Sequence, residues 1–223
     1  ISSGQTRLGL GKRRTGRARV NWLSSSWALI GELTAAHLAI ALPAICASIL
    51  IAVPIGAWAQ RSKKLGSAVL SFLSVLYAVP SLPLLVVVPV IVGIALRSRM
   101  NMVIVLTIYG VAVLIRQCAE AFAALPGDVI ESADAVGMSP MRRFFTVELP
   151  LAVPVILSGT RVVITSTVSL VTVGAFIGVR SLGTLFTDGF QRGLTVEVVA
   201  GLVMTIALAV VLDLLVVGVG ALL

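Results

Sequence analysis

The chain has 223 residues, of which 58% are hydrophobic and 12% charged, and its mean hydropathy is +1.10; soluble domains are roughly half apolar and a quarter charged. That composition excludes a soluble globular domain and indicates an integral membrane protein. The net charge of +8 does not argue for nucleic acid, because six of the seventeen basic residues lie in the first nineteen positions and most others flank apolar runs, the pattern of membrane anchoring.

Residues 1–21, rich in Gly, Arg and Ser/Thr without an apolar period, read as a basic arm preceding a transmembrane domain over 22–223. No signal peptide is legible in the arm. An interfacial segment through Glu32 leads into a first span at about 35–60. Trp27 and Trp58 are placed to sit in opposite aromatic belts. His37, the one histidine, reads as a hydrogen-bonded interfacial residue and excludes any His-rich metal site. Cys46 and Cys118 each lie in an apolar run, far apart, and are expected to be buried thiols.

Arg61, Lys63 and Lys64 mark a short basic turn before a second span at about 66–96. That span carries Pro80, Pro83 and Pro89, each of which removes a backbone donor and bends a helix. Broken backbone at membrane depth is tolerated where protein or a watery cavity satisfies it. Three further spans follow at about 101–125, containing Arg116 and Glu120, 151–179, containing Arg161, and 198–223, containing Asp213. The expected fold is therefore all-α, with about five transmembrane helices. Ionised groups at membrane depth need partners. Arg116 and Glu120 pair at i,i+4, and Asp213 calls for a cation from another span, either Arg161 or Arg116.

Between the third and fourth spans, residues 126–150 form the most polar interior segment. Asp128 and Glu131 have capping-box spacing, Gly137 reads as a helix stop, and Ser139-Pro140 reads as an N-cap and first turn of a second short helix. The expectation is a helix-turn-helix outside the hydrocarbon. Ser132, Ala135 and Gly137 are small enough for another backbone to approach.

Glu131-Ser132-Ala133, three residues, Gly137, nine residues, Val147, one residue, Leu149-Pro150 resembles the cytoplasmic coupling signature of ATP-binding-cassette importer permeases. Ser132 and Val147 depart conservatively from the Ala and Ile of that pattern. "HLAIALPAICASILIAVPIGAWAQRSKK", "VPSLPLLVVVPVIVG", "VELPLAVPVILSGTR" and "SLGTLFTDGFQRG" extend the similarity to the osmoprotectant branch, which handles glycine betaine, carnitine and choline. The resemblance implies a type I, MetI-like permease of a bacterial or archaeal cytoplasmic membrane. It implies that Glu131, Ser132, Ala133, Gly137, Met138, Leu149 and Pro150 couple to an ATPase. It further implies two ATPase subunits, a second permease, identical or homologous, and an extracytoplasmic binding protein as partners beside lipid. No cofactor is expected in the chain itself, ATP and Mg being bound by the ATPase. Gly11-Lys12 lacks the phosphate-loop spacing, and no catalytic constellation is present. Pro80, Ser81, Pro83, Ser169 and Thr172 are the expected lining of the translocation path. An amino-acid importer of the same architecture and a proton-coupled carrier are the rival readings.

With the cassette cytoplasmic, Lys and Arg number five inside and ten outside, against the usual bias. The arm supplies six of those ten.

Overall fold

The computed structural model describes residues 26–222, together with all their side chains except those of Lys63, Lys64, Ser74 and Leu76. The basic arm lies outside the described residues. α1 (Trp27–Arg61), α4 (Arg99–Ala123), α7 (Leu149–Val173) and α9 (Thr195–Leu222) are the long helices. Among the described residues, four helices are long and apolar enough to cross a membrane, the third being α7 together with its helical extensions on both sides.

The expected single helix over 66–96 is not one helix. It is α2 (Lys63–Tyr77, 15 residues) followed by α3 (Ser81–Val92, 12 residues), and each half alone is shorter than the roughly 20 residues a crossing needs. The cause is the spacing of its prolines. Pro80 caps α3 in an extended conformation (φ −60°, ψ 139°), and it biases Val79 away from the α region. Pro80 and Pro83 also withhold two of the N–H groups that a continuous helix would use to bond Leu76 O and Val79 O across the break. By contrast, Pro43 and Pro54 are widely separated in α1, and that helix runs through both for 35 residues. α1 also begins well before the expected span, so its start at Trp27 is continuous helix.

α1 packs most extensively on α4, and α4 in turn supports α7, α2 and α3. Small residues make the close crossings, as in membrane interfaces generally. A Cβ added at Gly56 would stand 2.5 Å from Cys118 Cβ and 3.0 Å from the Ala119 backbone nitrogen. At Gly110 it would meet Ser48 Oγ at 2.1 Å. Ser48 itself is fully buried and donates to Ala44 O at 2.7 Å.

Two expectations about single residues are corrected. His37 is fully buried, because the helix carrying it is packed on that face. Cys118 is buried but Cys46 is exposed, on the outer face of α1.

Beyond α7 a 3-10 turn, Gly174–Ile177, leads through a short loop to α8 (Gly183–Gln191). Ser181 holds that corner: its buried Oγ donates to Val171 O at 3.3 Å and accepts from Gly183 N at 3.1 Å. α9 then packs on α8 and α7.

Candidate functional site

The polar cassette comprises α5 (Gly127–Ala135), α6 (Pro140–Arg143) and a π-helical stretch, Phe144–Glu148, that continues directly into α7. The capping box expected of Asp128 and Glu131 does not form. Pro126, extended at ψ 130°, serves as N-cap without a side-chain bond, so α5 starts at Gly127 and Asp128 falls inside its first turn. There its charge faces the positive end of the helix, and its carbonyl accepts from Ser132 Oγ at 2.7 Å.

Gly137 (φ +78°) ends the arm. Its N–H bonds Asp134 O at 2.9 Å and the Met138 N–H bonds Ala133 O at 3.1 Å, the paired bonds of a Schellman stop, which needs a left-handed residue where Gly137 stands. Ser139 caps α6, accepting from Arg142 N at 3.4 Å, with Pro140 in the first turn. The second arm is therefore one α turn and one π turn, not a separate two-turn helix, and Leu149 and Pro150 belong to the start of α7. Glu131, Ser132 and Pro150 are exposed, Met138 and Leu149 are half-buried, and Ala133 is buried. Val136, Met141 and Phe145 stand exposed at 79%, 69% and 58%. The cassette thus offers apolar side chains on an otherwise polar knob.

A chain of ion pairs ties this knob to the spans. Arg61, at the end of α1, donates to Glu148 Oε2 at 2.5 Å, and Arg143 donates to Glu148 Oε1 at 2.8 Å and to Asp134 on α5. Glu148 is buried. Sequence reasoning missed this set; its one visible sign was an acidic residue standing immediately before an apolar helix.

The expected path residues lie on two elements. Pro80 and Pro83 are exposed and Ser81 half-buried at the α2–α3 break, while Ser169 is exposed and Thr172 half-buried on α7. α3 packs on α4, and α7 packs on α4, α1 and α9, so the single chain does not gather the two groups into one cluster. The carbonyls freed by proline are answered from α4. Tyr109 Oη donates to Val79 O, which lost Pro83 as a donor. Asn101 Nδ2 donates at 2.9 Å to Leu85 O, which lost Pro89, and at 2.9 Å to Leu96 O. Tyr77 and Tyr109 meet edge to face with ring centroids 6.0 Å apart.

Of the intramembrane charges, Arg116 and Glu120 pair along one exposed face of α4 at 3.4 Å. Arg161 and Asp213 join α7 to α9 in a two-pronged pair: Nε to Oδ1 at 2.7 Å and Nη2 to Oδ2 at 2.8 Å. Arg161 stands in a row with Ser158, Thr165, Ser169 and Thr172, spaced three or four residues apart and so on one face of α7. Among the described residues no group of His, Cys, Asp and Glu is placed to hold a metal.

Residues 44–223 match the family of binding-protein-dependent transport system inner membrane components. The chain belongs to this family. It is a permease subunit of an ATP-binding-cassette importer and a multi-pass protein of the inner membrane. The permease is 31% identical, over 82% of its length and 84% of the relative's, to the glycine betaine/carnitine/choline transport system permease protein OpuCB of Bacillus subtilis. It is 28% identical to the osmoprotectant import permease protein OsmW of Salmonella typhimurium, covering 87% and 91% of the two chains. Its fold matches a permease-length chain of the inward-facing MetNI methionine ABC transporter with a TM-score of 0.71 over 86% of this chain and 93% of that one, at 22% identity.

Proposed function

We propose that the permease carries a small osmoprotectant of the glycine betaine, choline or carnitine class, delivered by an extracytoplasmic binding protein. The similarity to OpuCB and OsmW carries this reading. The chain works as one of two permeases beside two ATPase subunits, which bind the nucleotide and perform the hydrolysis. The cassette supplies the coupling contact: Glu131, Ser132, Ala133, Gly137 and Met138 present the knob, and Leu149 and Pro150 pass its movement into α7.

The translocation path runs along the polar face of α7 that includes Ser169 and Thr172, with the broken segment at Pro80, Ser81 and Pro83 as its adjustable wall. Ser158, Thr165 and Thr172 donate back to carbonyls of their own helix at 2.6–3.0 Å. Their remaining lone pairs then offer weak acceptors and no deep well, which suits passage. Uptake assays in vesicles holding permease, ATPase and binding protein test the reading. ATP-dependent accumulation of labelled glycine betaine, choline or carnitine is expected. Accumulation of none of the three overturns the solute class.

A further inference from the structure

Arg161 stands at the middle of α7 and Asp213 in the second half of α9, well inside both ends, yet their side chains are 49% and 24% exposed. Charges at that depth do not face lipid; they face protein or a watery cavity. A shallow, widely open groove of about 490 Å³ lies beside them, lined by Ser158, Arg161, Val162, Thr165, Ser166 and Asp213. The pairing also leaves the guanidinium unfinished. Asp213 takes one N–H from Nε and one from Nη2, two of the five that the group carries. The other three have no hydrogen-bond partner among the described residues.

The geometry points to Arg161 as a contact for the carboxylate of a zwitterionic solute, held in orientation by Asp213. This inference rests on the osmoprotectant reading and adds to it a preference, among those solutes, for the ones that carry a carboxylate. A guanidinium fork recognises a carboxylate through parallel N–H donors, and a fork fixed on one edge offers its other edge ready oriented. Asp213 has a second effect. It neutralises Arg161, so an arriving carboxylate gains hydrogen bonds without a large net attraction and leaves again. Glycine betaine and carnitine have the carboxylate; choline has a hydroxyl in its place and gains nothing comparable.

The experiment compares uptake of labelled glycine betaine and choline by vesicles with the full complex. In Arg161→Gln, glycine betaine uptake is expected to fall on the order of tenfold, the worth of a charged hydrogen bond, while choline uptake stays within about twofold of the unaltered complex. Arg161→Lys keeps the charge but loses the fork, and the same selective fall is expected. Asp213→Asn shifts selectivity in the same direction, and Asp213→Glu restores part of it. Equal losses for both solutes, or failure of all these variants to assemble with the ATPase, assign the pair to structure alone and overturn the inference. An unaltered complex that imports neither solute overturns the osmoprotectant reading, and this inference with it. Import by that complex with unchanged selectivity in the variants overturns this inference alone.

Discussion

Arg61 Nη2 meets Glu148 Oε2 at 2.5 Å, which joins the end of α1 to the turn that starts α7 across 87 residues of sequence. Glu148→Gln leaves Arg61 without its charged partner and Arg143 with Asp134 alone. Because Arg61 is half exposed, water offsets part of the loss, and a destabilisation of about 1–3 kcal/mol is expected rather than the larger cost of a fully buried orphan. Thermal unfolding of the purified permease–ATPase complex checks it. A melting temperature unchanged from that of the unaltered complex would rule out a contribution from the pair.

Gly137→Leu is expected to uncouple the complex while leaving it assembled. A Cβ at Gly137 meets nothing within 4 Å, so the folding cost is confined to the left-handed backbone, about 1–2 kcal/mol. The added side chain instead projects from the knob toward whatever docks there. ATP hydrolysis stimulated by loaded binding protein is the readout, and retention of stimulation and uptake would remove the docking role.

Tyr109→Phe removes the donor that answers Val79 O, with an expected cost of about 1–3 kcal/mol for a carbonyl stranded in apolar surroundings. Unfolding midpoints of this variant and of the unaltered complex check it, and an unchanged midpoint would remove the stabilising role of the Tyr109–Val79 bond.

The cassette is expected on the cytoplasmic side and α8 on the opposite side. Ser139 is unsuitable as a labelling site because it caps α6, and Ser181 because it is buried. Met141 and Gln191 are exposed. In a background without Cys46 and Cys118, an impermeant thiol reagent applied to intact cells should label Gln191→Cys and spare Met141→Cys. The reverse pattern would invert the topology and agree with the distribution of Lys and Arg.

The helical class, the long spans and the cassette were legible because each depends on local pattern. A run of apolar residues, a Gly after a helical period and a Ser-Pro pair act within a few positions of themselves. The prolines at 80, 83 and 89 announced a disturbed helix but not its resolution, because the answering groups, Tyr109 and Asn101, lie on another helix. The capping box failed for a related reason: Pro126 set the start of α5 two residues earlier than the acidic spacing suggests. His37 and Cys46 were misjudged because their burial depends on which face of α1 meets α4, and an almost uniformly apolar helix does not announce its faces. The ion pairs of Glu148 depend on contacts between residues distant in sequence, which no spacing rule contains.

The donors that complete α3 come from a helix made after it. While α3 is being synthesised, the carbonyls of Val79 and Leu85 have neither a proline N–H nor, yet, Tyr109 and Asn101 to bond, and stranded carbonyls in hydrocarbon cost several kcal/mol each. Release of α3 into lipid on its own is therefore disfavoured. The segment is expected to wait beside the insertion machinery until α4 emerges, so that α2, α3 and α4 enter the bilayer together rather than one after another.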